Sequence, residues 1–153
     1  MKKLVRSLFA GAAIAMPIVM VTASPAAALD AFVITGSGTI SPGLTAVPTP
    51  QSVSFTGTAT SVGTTAVPGS YPCSFSGTDT LGSAAEGVGT VSGSCGPFAF
   101  TNCQFVRIVG VVVVVCPPQG NPPRTAVAVC AFQPTNVNPT TRYNLVCAGV
   151  VGP

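Results

Sequence analysis

Asp79 and Glu86 stand seven residues apart, on either side of the stretch TLGSAA. Folded as a hairpin, that stretch could bring two carboxylates together. Such a pair could serve glycoside hydrolysis, or with backbone carbonyls it could hold Ca²⁺. Sites of that kind draw further polar ligands, and none stands nearby in the sequence. Two solvated loop charges that aid solubility are therefore the stronger reading. The third carboxylate, Asp30, lies far away near the N-terminal end of the mature domain. The chain has no His, and its two lysines are Lys2 and Lys3 at the extreme N-terminus. Ser–His, Cys–His and Ser–Lys nucleophile pairs cannot be assembled from the rest. The recurrent Gly-Thr pairs are not phosphate loops, because no Gly-Lys-Ser/Thr follows them. These residues point to a protein that is not an enzyme, with no catalytic residue, no cofactor and no metal site.

The other chemistry-bearing residues are six cysteines: Cys73, Cys95, Cys103, Cys116, Cys130 and Cys147. They form no CxxC pair and have no His to join them, which argues against zinc. An even count in an exported chain reads as three disulfides, for which 15 pairings exist. Cys103 and Cys116 would face each other across a hairpin turning at Val109-Gly110, with Gly110 supplying the positive φ of a tight turn. Directly opposed Cβ atoms stand slightly wide of disulfide spacing except at the closer, non-hydrogen-bonded pairs, so the bridge is allowed and not compelled. Similar reasoning pairs Cys73 with Cys95 and Cys130 with Cys147.

Between Cys116 and Cys130 runs CPPQGNPPRT, too rich in Pro for a central strand. A rigid loop presenting Pro122, Pro123 and Arg124 could dock in a protease cleft, since preorganisation lowers the ordering cost. The competing reading is a stiff connector between two strands. Arg107, within the most apolar region, is expected at a hairpin end with its guanidinium in water and its stem on the sheet, and Arg142 likewise.

The elements that would position these groups are strands. No useful length of the chain has helical periodicity, and Gly and Pro punctuate short runs rich in Val, Thr, Phe and Ile. Eight strands are predicted, over 31–35, 52–60, 71–77, 87–94, 98–107, 111–116, 124–132 and 142–148. Their number and spacing suggest a β-sandwich, immunoglobulin-like or jelly-roll-like, or a small barrel; the sandwich is the expected fold. The run Val111 to Val115 is too short to span a membrane and reads as a strand buried on both faces. The frame TAVP, five residues, then SF-x-GT-x-T occurs at Thr45 and again at Thr65, as two similar loop–strand units of one domain.

Lys2, Lys3 and Arg6 precede a short apolar run and the small residues Ala26, Ala27 and Ala28. Residues 1–28 therefore read as a helical signal peptide, leaving 29–153 as one disulfide-stapled domain. The formal +3 charge of the chain belongs to the leader, because Arg107, Arg124 and Arg142 balance Asp30, Asp79 and Glu86. A neutral domain has no means to neutralise a row of phosphates, so nucleic acid is excluded as a partner, and no stable membrane insertion is expected after cleavage.

The layout GSGTISPGL, FTGTAT, CSFSGT, GVGTVSGSC and PTNVNPTTRYNLVCAG resembles small exported actinobacterial proteins with a Cys-stapled β domain and no established activity. The resemblance implies an extracellular or envelope location and no catalytic residues. A fold-level analogy extends to secreted immunoglobulin-like apoproteins that carry enediyne chromophores, in size, export and disulfides. The expected function is a non-enzymatic secreted structural or interaction protein that meets a protein or an envelope surface. The alternatives are a carrier of a small apolar ligand and a protease inhibitor acting through the loop at 117–125.

Overall fold

A computed structural model describes residues 30–62 and 69–153; the leader expected over residues 1–28 lies outside them. Eight strands follow one another: β1 (Asp30–Leu44), β2 (Thr49–Val62), β3 (Ser70–Gly82), β4 (Glu86–Cys95), β5 (Phe98–Ile108), β6 (Val111–Gln119), β7 (Arg124–Pro134) and β8 (Thr140–Gly152). The all-β reading holds, but the sandwich is corrected. Each strand pairs antiparallel with the next, and β8 returns to pair with β1 from Asp30↔Val151 to Leu44↔Thr140, closing one barrel. Closure leaves neither β1 nor β8 as an open edge, which a meander in a sandwich would have to protect.

The Gly-Thr pairs explain how the sheet curls. Along β2 to β4, Thr58, Thr78 and Thr90 face outward, and the preceding Gly57, Gly77 and Gly89 face the lumen. A Cβ at Gly77 would overlap the Thr90 carbonyl oxygen, and one at Gly89 the Thr78 carbonyl oxygen. Bare backbone at these points lets neighbouring strands bend tightly towards each other. The repeated SF-x-GT frame places Phe55 opposite Phe75 on the inner wall, so the echo is a packing motif.

All three bridges form as the spacing suggested: Cys73–Cys95, Cys103–Cys116 and Cys130–Cys147. Each joins the two strands of one hairpin, with Cα atoms 4.1, 4.1 and 3.9 Å apart. Such narrow separations mark non-hydrogen-bonded pairs, the positions that admit a disulfide. All six sulfurs belong to buried residues. Three disulfides fit an oxidising, extracellular environment.

Two local expectations are corrected. The valine run is not buried on both faces: Val112 and Val114 point inward, whereas Val111 and Val115 are 48% and 46% exposed. A single closed sheet has no second layer to cover its outside. At the β5–β6 turn the positive φ belongs to Val109, at 52°, and not to Gly110.

Candidate functional site

Strand alternation sends every second side chain into the barrel, and they do not fill it. Ile34, Val53, Phe75, Val91, Val114, Ala128 and Leu145 pack on the inner core, yet each keeps some accessible surface. That surface faces an internal cavity of about 970 Å³, lined chiefly by aliphatic and aromatic groups. Short side chains contribute: Ala126 and Ala128 line the cavity at positions where larger residues would fill part of it.

The two ends of the barrel differ. At one end, called the base, Leu44, Gln51, Asp79, Ser83, Arg107 and Thr140 are all buried. Gln51 accepts from Gly43 N at 2.7 Å and donates to Gly43 O at 3.0 Å, standing in for a missing strand pair. Arg107 donates through Nη2 to the Ser83 and Glu86 carbonyls and through Nη1 to Ala84 O at 3.5 Å. It thus binds the β3–β4 loop beneath the floor of the cavity. Its guanidinium also lies 5.1 Å over the Phe132 ring and 3.8 Å from Asp79 Oδ2. Phe132 in turn stacks on Tyr143, whose hydroxyl donates to Ser54 O at 2.7 Å.

The electrostatics of this floor follow from burial. Loss of water pushes the Asp79 carboxyl up, against the opposing pull of the Val88 N–H bond and the Arg107 charge. Burial lowers Arg107, and burial raises Tyr143 to about 12. The floor is therefore a desolvated but nearly neutral ion pair, held by backbone groups.

At the other end the lumen is open. Phe32, Tyr71, Phe98 and Phe100 line the mouth with Pro97 and Pro122. Tyr71 meets Phe98 edge-on at 5.6 Å, and Phe100 lies 6.3 Å from Phe75. Gln119 ties the β6 end to β5, accepting from Thr101 N at 2.6 Å and donating to Thr101 O at 2.7 Å. On the rim Arg124 donates to Asp30 Oδ2 at 3.0 Å.

The residues singled out in the sequence fall as follows. Asp79 and Glu86 do not form a carboxylate pair: Asp79 faces the lumen, whereas Glu86 is exposed and offers its main-chain carbonyl to Arg107. Arg107 was expected in water and is 3% exposed, a correction that alternation could have supplied, since Cys103, Phe105 and Arg107 share one face of β5. Arg142 is exposed, as expected. Pro122 and Arg124 border the cavity mouth, and Arg124 is engaged by Asp30. The six cysteines are inner-wall residues, four of which border the cavity. The aromatic mouth and the Arg107 floor were not recognised from sequence. Among the described residues the arrangement aligns no nucleophile with a base; what it offers is an apolar surface with a polar floor. Comparison with family models, with curated proteins and with solved structures finds no match for this chain.

Proposed function

We propose that this protein binds and carries a small, predominantly apolar ligand, taken up through the aromatic mouth and held in the barrel without chemical change. The observation that carries the reading is the apolar cavity of about 970 Å³, closed at the base and open at the mouth. Its volume lies at the upper end of the roughly 300–1,000 Å³ range of small-molecule sites. Burial of the ligand supplies the driving force, about 0.8 kcal/mol for each methylene taken out of water. The disulfides staple neighbouring strands of the wall before the ligand arrives, so little ordering cost is left for binding. An expected role outside the cell agrees with the three bridges.

Native mass spectrometry of the protein recovered from its secreting culture tests this. A bound species, released on denaturation in organic solvent and replaced by added apolar molecules, is the expected result. Protein that carries nothing and takes up nothing from an added apolar panel would remove the reading.

A further inference from the structure

The outer wall of the barrel has two unlike halves. Over β2 and β3 the outward positions are Ser52, Ser54, Thr56, Ser74, Ser76 and Thr78, an ordinary hydrated surface. Over β5 to β8 the middle outward positions are aliphatic, bounded by Gln104, Gln133 and Asn144. The strand registers align Val106, Val113, Val129 and Ala148 in one row across the four strands. A second row, Ile108, Val111, Ala131 and Val146, runs beside it on the basal side. Toward the mouth Val115, Val127 and Val150 form a third row, which begins at Gln104 on β5. These are surface groups, with Ile108 at 63% exposure and Val106 at 49%. No charged residue lies within the rows; Glu86, opposite Ile108 on β4, and Arg142, four positions from Val146 on β8, stand at the margin.

We infer that this face is the interface of a closed dimer, formed with a second copy of the same chain. Three observations select that occupant. First, the area suits it. Four strands about 4.8 Å apart, each carrying up to three half-exposed aliphatic side chains, offer on the order of 700 Å², against about 800 Å² per partner in a standard interface. Second, the chemistry is that of sheet packed on sheet. Val, Ile and Ala in regular rows interdigitate across a layer about 10 Å thick, as they do between the layers of a sandwich. A lipid surface is matched less well: the rows contain no Tyr, Trp or Phe to sit among head groups and no Lys or Arg to meet anionic ones. Third, the Ser/Thr half limits growth. With the apolar rows confined to one half of the wall, an isologous contact uses them and leaves strands whose outward residues are mainly Ser and Thr, with Val62, Leu81 and Val88 as separate aliphatic exceptions. The contact involves outward side chains, so the lumen and its mouth stay independent of it.

Sedimentation velocity of the intact secreted protein, from about 1 to 100 μM, reads the result. The wild type is expected to sediment as a dimer at the higher concentrations. Val129→Glu, at the centre of the face, should raise the dissociation constant by about 30-fold or more. Thr58→Glu on the hydrated half should leave it unchanged, and both variants should still bind an apolar probe in the lumen, which reports that they fold. A wild type that stays monomeric throughout, a Val129→Glu variant that dimerises like the wild type, or open-ended oligomers would each overturn the inference. So would a monomer that pellets with phosphatidylcholine vesicles.

Discussion

Replacing Arg107 with Met removes the strut beneath the cavity floor while keeping most of its apolar stem. Two carbonyls, of Ser83 and Glu86, lose the Nη2 donor, and Ala84 O loses a longer bond. Asp79 loses the cation that stands 3.8 Å from it. Hydrogen bonds from a charged donor contribute about 1.5–3 kcal/mol each, and removing one partner of a buried ion pair costs about 3–5 kcal/mol. The β3–β4 turn is buried at Ser83 but exposed from Ala84 to Glu86, so water recovers part of the lost bonding, which places the expected loss at about 3–4 kcal/mol at pH 7. The pH dependence identifies the cause. Asp79 is already raised by burial, so its ionised form costs the native state stability, a cost relieved as pH falls through the folded pKa. Without Arg107 the carboxyl rises further, and the native state then binds its proton more tightly than the unfolded chain does. The deficit of Arg107→Met should therefore shrink between pH 7 and pH 4. Adding Asp79→Asn should restore about 1–3 kcal/mol at pH 7 and little at pH 4. Guanidinium chloride unfolding with the disulfides intact, at both pH values, measures this. A loss below about 1 kcal/mol, or a deficit that grows on acidification, refutes the assignment of Arg107 and Asp79 to a coupled floor.

Three further outcomes are expected. Val109→Gly should stabilise the protein by about 1 kcal/mol in the same assay, because a β-branched residue at φ 52° is strained and Gly is not. Changing both members of a bridge to Ala should cost about 2–4 kcal/mol. The cost should be largest for Cys73–Cys95 and smallest for Cys103–Cys116, following the sequence separations of 22 and 13. Gly89→Ala should lower stability by more than about 2 kcal/mol, since the new methyl meets the Thr78 carbonyl and only backbone movement can relieve it. A thermal melt indistinguishable from wild type would contradict that role for Gly89.

Strand positions and cysteine pairing were legible because both rest on local periodicity. The period of two and the turn residues located all eight strands, and opposed cysteines in short hairpins located the bridges. Closure was not legible in the same way. A meander shows the same alternation in a sandwich and in a barrel, and the difference lies in the pairing of β1 with β8, the two strands farthest apart in sequence. The local sign of it was the set of inward glycines at 57, 77 and 89, whose need for bare backbone comes from carbonyls on the neighbouring strands and is not written in the local sequence. The valine run misled for a related reason. A continuous apolar strand implies burial on both faces only when a second layer exists, and here its outer half belongs to an exposed apolar wall. Arg107 was misplaced because the hydration of an isolated arginine outweighed its position two residues from Phe105. The cavity follows from the sum of inward side-chain volumes, which depends on closure and so was hidden with it.

Titration with an apolar fluorophore, N-phenyl-1-naphthylamine, most directly tests whether the lumen is a binding site. Ala128 faces that lumen from β7, and Ala128→Phe places a ring in it without touching the outer wall. Saturable binding of one probe per chain, weakened about tenfold or more by Ala128→Phe, is the expected result. Binding that never saturates, or that Ala128→Phe leaves unchanged, would contradict a ligand held inside the barrel.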